Sequence, residues 1–138
     1  MWYNSDRRGL NRDFVRKQTP ERSTTMPYIA VNVTGTLTHE QKIAIKSGLG
    51  EKISIIPGKI EKALMVDISE NHTMFMGGEE RPLAFVDVRC YGETEMQYKK
   101  EFTEAVFQTL QSATELTERD IYLNHTDFAN WGTRGTLK

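Results

Sequence analysis

The chain has a single cysteine, Cys90, so no disulfide can form within it and nothing points to an oxidising compartment. It also lacks any apolar run near the ~20 residues that span a bilayer, and arginines stand near the N-terminus where a secretory signal needs an apolar stretch. The cytoplasm is therefore the expected location. Asn71-His72-Thr73 and Asn124-His125-Thr126 match the glycosylation pattern only by chance on that reading. Net charge is nearly absent, -1 over 138 residues, so the chain as a whole offers no electrostatic case for nucleic acid or a membrane surface. Histidines are few as well: His39, His72 and His125 are scattered without metal-ligand spacing, and no metal is expected.

What is present has the balance of an ordinary globular protein, 38% hydrophobic and 27% charged, with length for one domain and a tail. The charge is unevenly spread. Residues 1–25 carry six basic side chains against three acidic ones, a net of +3, and the rest of the chain a net of -4. This leading stretch has little aliphatic material beyond Leu10 and Val15 and reads as a poorly ordered basic extension. Three accounts of it compete: an upstream in-frame start that is not used, a basic arm for an acidic partner, and an Arg-rich transit segment. The first is preferred, since Arg22-Ser23 can be encoded by a purine-rich ribosome-binding sequence just before the Met26 codon, and the three acids and few serines count against a transit segment. The domain proper is assigned to residues 26–138.

That domain opens on Met26-Pro27-Tyr28-Ile29-Ala30-Val31-Asn32-Val33. Alternation and β-branching from Tyr28 to Val33 predict a half-buried strand, with proline tolerated at its start because it has no N–H to donate. Thr38-His39-Glu40-Gln41 forms a capping box, and Ile45, Leu49, Ile53 and Ile56 a helical stripe that Pro57-Gly58 ends. Gly48 and Gly50 in this helix are read as points of close approach to a sheet. Leu64, Val66 and Ile68 alternate as a second strand, and Asn71 to Gly78 is a turn-rich connection with a short apolar piece, Met74-Phe75-Met76. The pattern then repeats. Leu83 to Tyr91 is the strongest strand, Thr94-Glu95-Met96-Gln97 a second capping box, Phe102, Val106, Leu110 and Ala113 a second stripe, and Asp120 to Asn124 a last strand.

The capping threonines Thr38 and Thr94 recur with a period of about 56 residues, the mark of an internal duplication. Each unit is strand–helix–strand with a parallel strand pair. Two such units make an α/β fold, a four-stranded sheet with both helices on one face. The other sheet face then lacks cover within the chain, and oligomerisation is expected.

The ordered set Met26-Pro27, Ile56-Pro57-Gly58-Lys59, Phe75-Met76-Gly77-Gly78, Pro82-Leu83-Ala84-Phe85, Tyr91-Gly92, Ile121-Tyr122-Leu123-Asn124 and Asn130-Trp131-Gly132 resembles the macrophage migration inhibitory factor-like tautomerases, especially the bacterial phenylpyruvate tautomerase-like members. The resemblance runs from Met26 to about Gly132. It implies a duplicated β-α-β fold assembled as a homotrimer, a small keto or enol acid such as phenylpyruvate as substrate, and no metal or organic cofactor. It also implies Pro27 as catalytic base, acting through a free N-terminal amine, and Lys59 as the group that holds the substrate carboxylate or polarises its oxygen. Topology supports that pairing, since two parallel strands that begin at one sheet edge lie about 4.8 Å apart when adjacent. A cation there and partial burial both favour a neutral amine at pH 7.

By the same resemblance Tyr91 offers its backbone to the substrate, Tyr122 and Asn124 reach the pocket from a neighbouring subunit, and Trp131 stands in for an apolar wall residue. A CxxC seen in some members is absent, Leu83 and Val86 occupying its positions, so thiol exchange is not expected. Dehalogenase and decarboxylase relatives use extra arginines around the proline. Apart from Arg81 and Arg89 the domain offers few, which leaves tautomerisation as the implied reaction. The departure is the extension: with residues 1–25 attached, the Pro27 nitrogen is an amide and no base. A catalytically silent trimer acting as a binding module is the alternative.

Overall fold

The computed structural model describes residues 26–138, and the readings made for residues 1–25 lie outside the described residues. Strand β1 is Pro27–Val33, helix α1 His39–Lys52, β2 Met65–Ser69, β3 Phe75–Met76, β4 Glu79–Glu80, β5 Ala84–Tyr91, α2 Met96–Ala113, β6 Ile121–Phe128, β7 Gly132–Thr133 and β8 Thr136–Leu137. The main sheet has the order β2-β1-β5-β6. Both β1–β2 and β5–β6 pair in parallel while β1 and β5 run antiparallel, so two β-α-β units meet back to back, as the duplication predicts.

Side-chain alternation decides which face is covered. Ile29, Val31 and Val33 of β1 and Ala84, Val86, Val88 and Cys90 of β5 are buried with Ile45 and Leu49 of α1 and Phe102, Val106 and Leu110 of α2. One sheet face therefore carries both helices. Tyr28, Ala30, Asn32, Phe85, Asp87, Arg89, Tyr122 and Asn124 occupy the alternate positions and point to the open face. Among the described residues every member of the core follows Pro27, so a chain beginning at Pro27 keeps that core.

Several local expectations need correction. The Thr38 capping box is present, Gln41 N donating to Thr38 Oγ1 and Thr38 N to Gln41 Oε1. The second box is not. Glu95 caps α2 without a side-chain bond, and Thr94 N donates to Asp127 Oδ2 at 2.8 Å, so a carboxylate from β6 does what the threonine was expected to do. Helix α1 stops at Lys52, and a 3-10 turn, Ile53–Ile55, carries the stripe on to the buried Ile56.

Gly48 and Gly50 approach other partners than the sheet. A Cβ at Gly48 would lie 2.6 Å from Thr109 Cγ2 on α2, and one at Gly50 would strike the Glu61 carboxylate. The last strand extends four residues beyond Asn124, since pairing of β6 with β5 continues to Tyr91↔Phe128. Two short hairpins also stand outside the main sheet. Gly77-Gly78 joins β3 to β4 and Arg134-Gly135 joins β7 to β8, each with positive φ at both positions, as a two-residue hairpin turn requires.

Candidate active site

The edge of the sheet at which β1 begins is also the edge at which β5 and β6 end. In register, Pro27 lies opposite Cys90, and Cys90 opposite Asp127. Pro27 is buried and forms part of the wall of a cavity of about 550 Å³. Met26, Tyr28, Ala63, Met65, Arg89, Phe128, Asn130, Trp131, Gly132 and Thr133 complete the lining among the described residues. Phe128 and Trp131 meet edge to face with centroids 6.0 Å apart. Trp131 is held by the C-terminal hairpin, its N–H donating to Lys138 O at 3.2 Å and its carbonyl accepting from Lys138 N at 2.8 Å.

Lys59 is placed by the turn that ends the first unit's helical segment. Gly58 takes φ +83°, and Lys59 N donates to Ile56 O at 3.0 Å. The side chain runs inward. Lys59 is only 4% exposed, and Nζ donates to Tyr91 O at 2.9 Å. Burial pulls its pKa below the ordinary lysine value, and the charges of Cys90 and Asp127 act the other way. Because burial also pushes the Cys90 thiol up to about 11, that sulfur is neutral at pH 7 and Asp127 is the effective counter-charge. Lys59 thus packs behind the β5 terminus and is not among the residues that line the Pro27 cavity.

Tyr91 is the last residue of β5, and its carbonyl is the one that Lys59 engages. Tyr122 and Asn124 lie on the open face toward the other end of β6. Tyr122 is five residues before Asp127, about 16 Å along an extended strand, so it cannot reach the cavity of its own chain. Asn124 Nδ2 donates to Thr126 Oγ1 at 2.7 Å and to Asp87 Oδ1 at 3.4 Å. The structure therefore brings Pro27 and Trp131 to one cavity, sets Lys59 and Tyr91 just behind it, and keeps Tyr122 and Asn124 away from it. Phe128 was not noted from the sequence, and Tyr28 and Asn130 were read there as strand and motif residues without a place in the site. Strand alternation puts Tyr28 and Arg89 on the same face, which was the available signal.

Behind the cavity, on the helix side, lies a second polar group. Asp127 Oδ2 accepts from Thr94 N and sits 3.2 Å from Lys99 Nζ. Burial pushes the carboxyl up, but the Thr94 N–H and the Lys99 ammonium outweigh it, and the net shift is below the ordinary value. His125, with a side chain 5% exposed, has Nε2 3.3 Å from Asp127 Oδ1, yet neither ring nitrogen has a hydrogen-bond partner among the described residues. Burial lowers its pKa, helped by Lys99 and Lys59 and opposed by Asp127. An unfolded His125 takes up a proton near pH 6.5, while the folded one resists until lower pH. Unfolding therefore consumes a proton in that window, and stability falls as pH drops below about 6.5. Melting temperature should decline between pH 7.5 and 5.5, and less so in His125→Gln. An identical decline in that variant would assign the pH dependence elsewhere.

Among the described residues no three His, Cys, Asp or Glu side chains could hold a metal ion together, and no helix is long and apolar enough to cross a membrane. A search of curated proteins finds no match. Solved structures of similar fold include Leishmania major MIF2, at 21% identity with a TM-score of 0.76, covering 82% of this chain and 97% of that one. A macrophage migration inhibitory factor homologue from Prochlorococcus marinus gives 19% identity and a TM-score of 0.72, over 80% of this chain and 97% of that one. Pt0534 inactivated by 2-oxo-3-pentynoate gives 18% and 0.72, over 78% and 93%. At these identities the likeness carries the fold, two helices on a mixed four-stranded sheet. The profile of the family described as macrophage migration inhibitory factor (MIF) matches residues 26–137, and the chain belongs to that family.

Proposed function

We propose that this protein, when its chain begins at Pro27, is a tautomerase that interconverts the keto and enol forms of small aromatic α-keto acids such as phenylpyruvate. One observation carries the reading: Pro27, at the start of β1, lines a cavity walled by Tyr28, Phe128 and Trp131. A secondary amine there takes a proton from the carbon beside the ketone and returns it to give the other tautomer. Lys59 holds the Tyr91 carbonyl behind the cavity, and a protonated Lys59 there favours the neutral amine. The family includes tautomerases, and Pt0534, of similar fold, is inactivated by a 2-oxo acid. The proposal includes a homotrimer in the cytoplasm, with Tyr122 and Asn124 completing the cavity of a neighbouring subunit.

The test compares the 138-residue chain with a chain whose first residue is Pro27, each assayed for phenylpyruvate enolisation, with masses verified. Turnover confined to the shorter chain is the expected result, because Met26 acylates the Pro27 nitrogen in the longer one. Equal turnover in both would remove the Pro27 amine from the mechanism. Inactivity of both would favour the silent binding module.

A further inference from the structure

Lys59 carries a charge that its own contacts do not neutralise. Its ammonium is 4% exposed, and among the described residues its hydrogen-bond partner is the neutral Tyr91 carbonyl. An ammonium taken out of water gives up its proton readily unless an opposite charge stands near it. We propose that Asp127 is a positioning residue for the reaction: its carboxylate keeps the buried Lys59 protonated, Lys59 in turn keeps the Pro27 amine neutral, and Asp127 thereby sets the alkaline limit of turnover. The role in turnover rests on the tautomerase reading, whereas the charge on Lys59 does not.

The sheet brings the two groups together. Asp127 is the ladder partner of Cys90, one strand spacing or roughly 4.8 Å away in the backbone. Cys90 immediately precedes the residue whose carbonyl Lys59 engages. As partners in a ladder, Cys90 and Asp127 turn to the same side of the sheet. Burial lowers the Lys59 pKa, and the field of Asp127 opposes it. Asp127 does this through space, since its direct ion pair is with Lys99.

The other groups around Lys59 leave the task to this carboxylate. Cys90 of β5, its thiol pushed up to about 11 by burial, is neutral at pH 7. His125 of β6 is kept neutral there by its own burial. Lys99 of α2 is a second cation, with a side chain 24% exposed and so partly screened by water. Asp127 is the single anion of this set. Its Oδ2 accepts from Thr94 N at 2.8 Å and lies 3.2 Å from Lys99 Nζ, while Oδ1 has no hydrogen-bond partner among the described residues.

Two substitutions should therefore act with opposite signs. Asp127→Asn keeps an oxygen for the Thr94 N–H and removes the charge, so Lys59 loses its proton at lower pH. Lys99→Met removes the competing cation and leaves the carboxylate less neutralised, so Lys59 holds its proton to higher pH. Loosened packing would not produce both signs.

The 138-residue chain, isotope-labelled at the lysine Cε atoms, is titrated by NMR, with the Lys59 resonance assigned by its absence from Lys59→Arg. No free Pro27 amine is needed. The Lys59 midpoint should fall by at least about one pH unit in Asp127→Asn and rise in Lys99→Met. In the chain that begins at Pro27, the alkaline limb of kcat/KM for phenylpyruvate should move down with that midpoint in Asp127→Asn, while the acid limb stays in place. An unmoved Lys59 midpoint in Asp127→Asn, a fall in both variants, or an alkaline limb that ignores the Lys59 midpoint would each overturn the assignment. Should Asp127→Asn not fold, the sign of the change in Lys99→Met decides it. A Lys59 midpoint that follows both substitutions in a protein that enolises nothing from Pro27 would leave the counter-ion standing and sink the tautomerase reading.

Discussion

In the chain that begins at Pro27, Pro27→Gly should lower kcat/KM for phenylpyruvate at least about 100-fold, the low end of what a positioned general base contributes. The substitution is chosen because it keeps an amine at the same place in the chain. What changes is its order, secondary to primary, and its freedom, since the pyrrolidine ring fixes the direction of the nitrogen lone pair about the N–Cα bond and an N-terminal glycine amine rotates freely. The fold should not suffer. Pro27 is absent from the hydrophobic cluster that joins sheet and helices, and strand β1 is secured by Ile29, Val31 and Val33, all within 3% of complete burial. Circular dichroism and melting temperature should therefore track the parent while turnover collapses. Equal turnover in parent and variant would mean that another group takes the proton. The pH–rate profile adds a second readout: its acid limb should report an N-terminal amine, and acylating that nitrogen should abolish turnover at every pH.

Much of the frame was legible because two independent periodicities agree. Ile29, Val31 and Val33 alternate, Ile45 and Leu49 recur at helical spacing, and both patterns return about 56 residues later in Val86, Val88, Phe102 and Val106. Local chemistry was readable where partners are local, as in the Thr38–Gln41 box. It failed where the partner is distant. Thr94 has the same sequence signature, yet Asp127, 33 residues away, satisfies the chain there instead. The continuation of β6 was hidden for a related reason. Asn124, His125, Thr126 and Asp127 have the composition of a loop, and only pairing with Asp87, Val88, Arg89 and Cys90 of β5 makes them a strand. The site divides in the same way. Pro27 is marked by its place before a strand, whereas the inward course of Lys59 and the pairing of Arg89 with Asp87 depend on tertiary packing that one sequence does not display.

Phe85→Asp should convert an oligomer to a monomer and lower kcat/KM for phenylpyruvate at least about 100-fold without unfolding the chain. Phe85 lies on the open face between Asn32 of β1 and Tyr122 of β6, its partners in register, and it is 38% exposed beside a Tyr122 that is 61% exposed. Met65 and Phe128 extend the apolar surface toward the Pro27 edge. Exposed Phe85, Tyr122, Met65 and Phe128 on this face, among polar neighbours such as Asn32, Asp87 and Arg89, favour a cover, and the helices already occupy the other side. If the cover is two further copies of the same face, a carboxylate at position 85 is forced into a desolvated interface, and assembly fails. The monomer itself keeps its core, because Ala84 and Val86, on either side of Phe85, hold the helix-facing contacts. Activity is lost for a separate reason. Tyr122 lies about 16 Å along β6 from its own cavity edge, so under the proposed function it acts only across a subunit boundary. Gel filtration with light scattering gives the mass of each chain, and the enolisation assay gives the turnover. A monomeric Phe85→Asp chain with full activity would show that the cavity works within one subunit and that Tyr122 and Asn124 take no part in it. A trimeric variant with full activity would place the interface on some other surface.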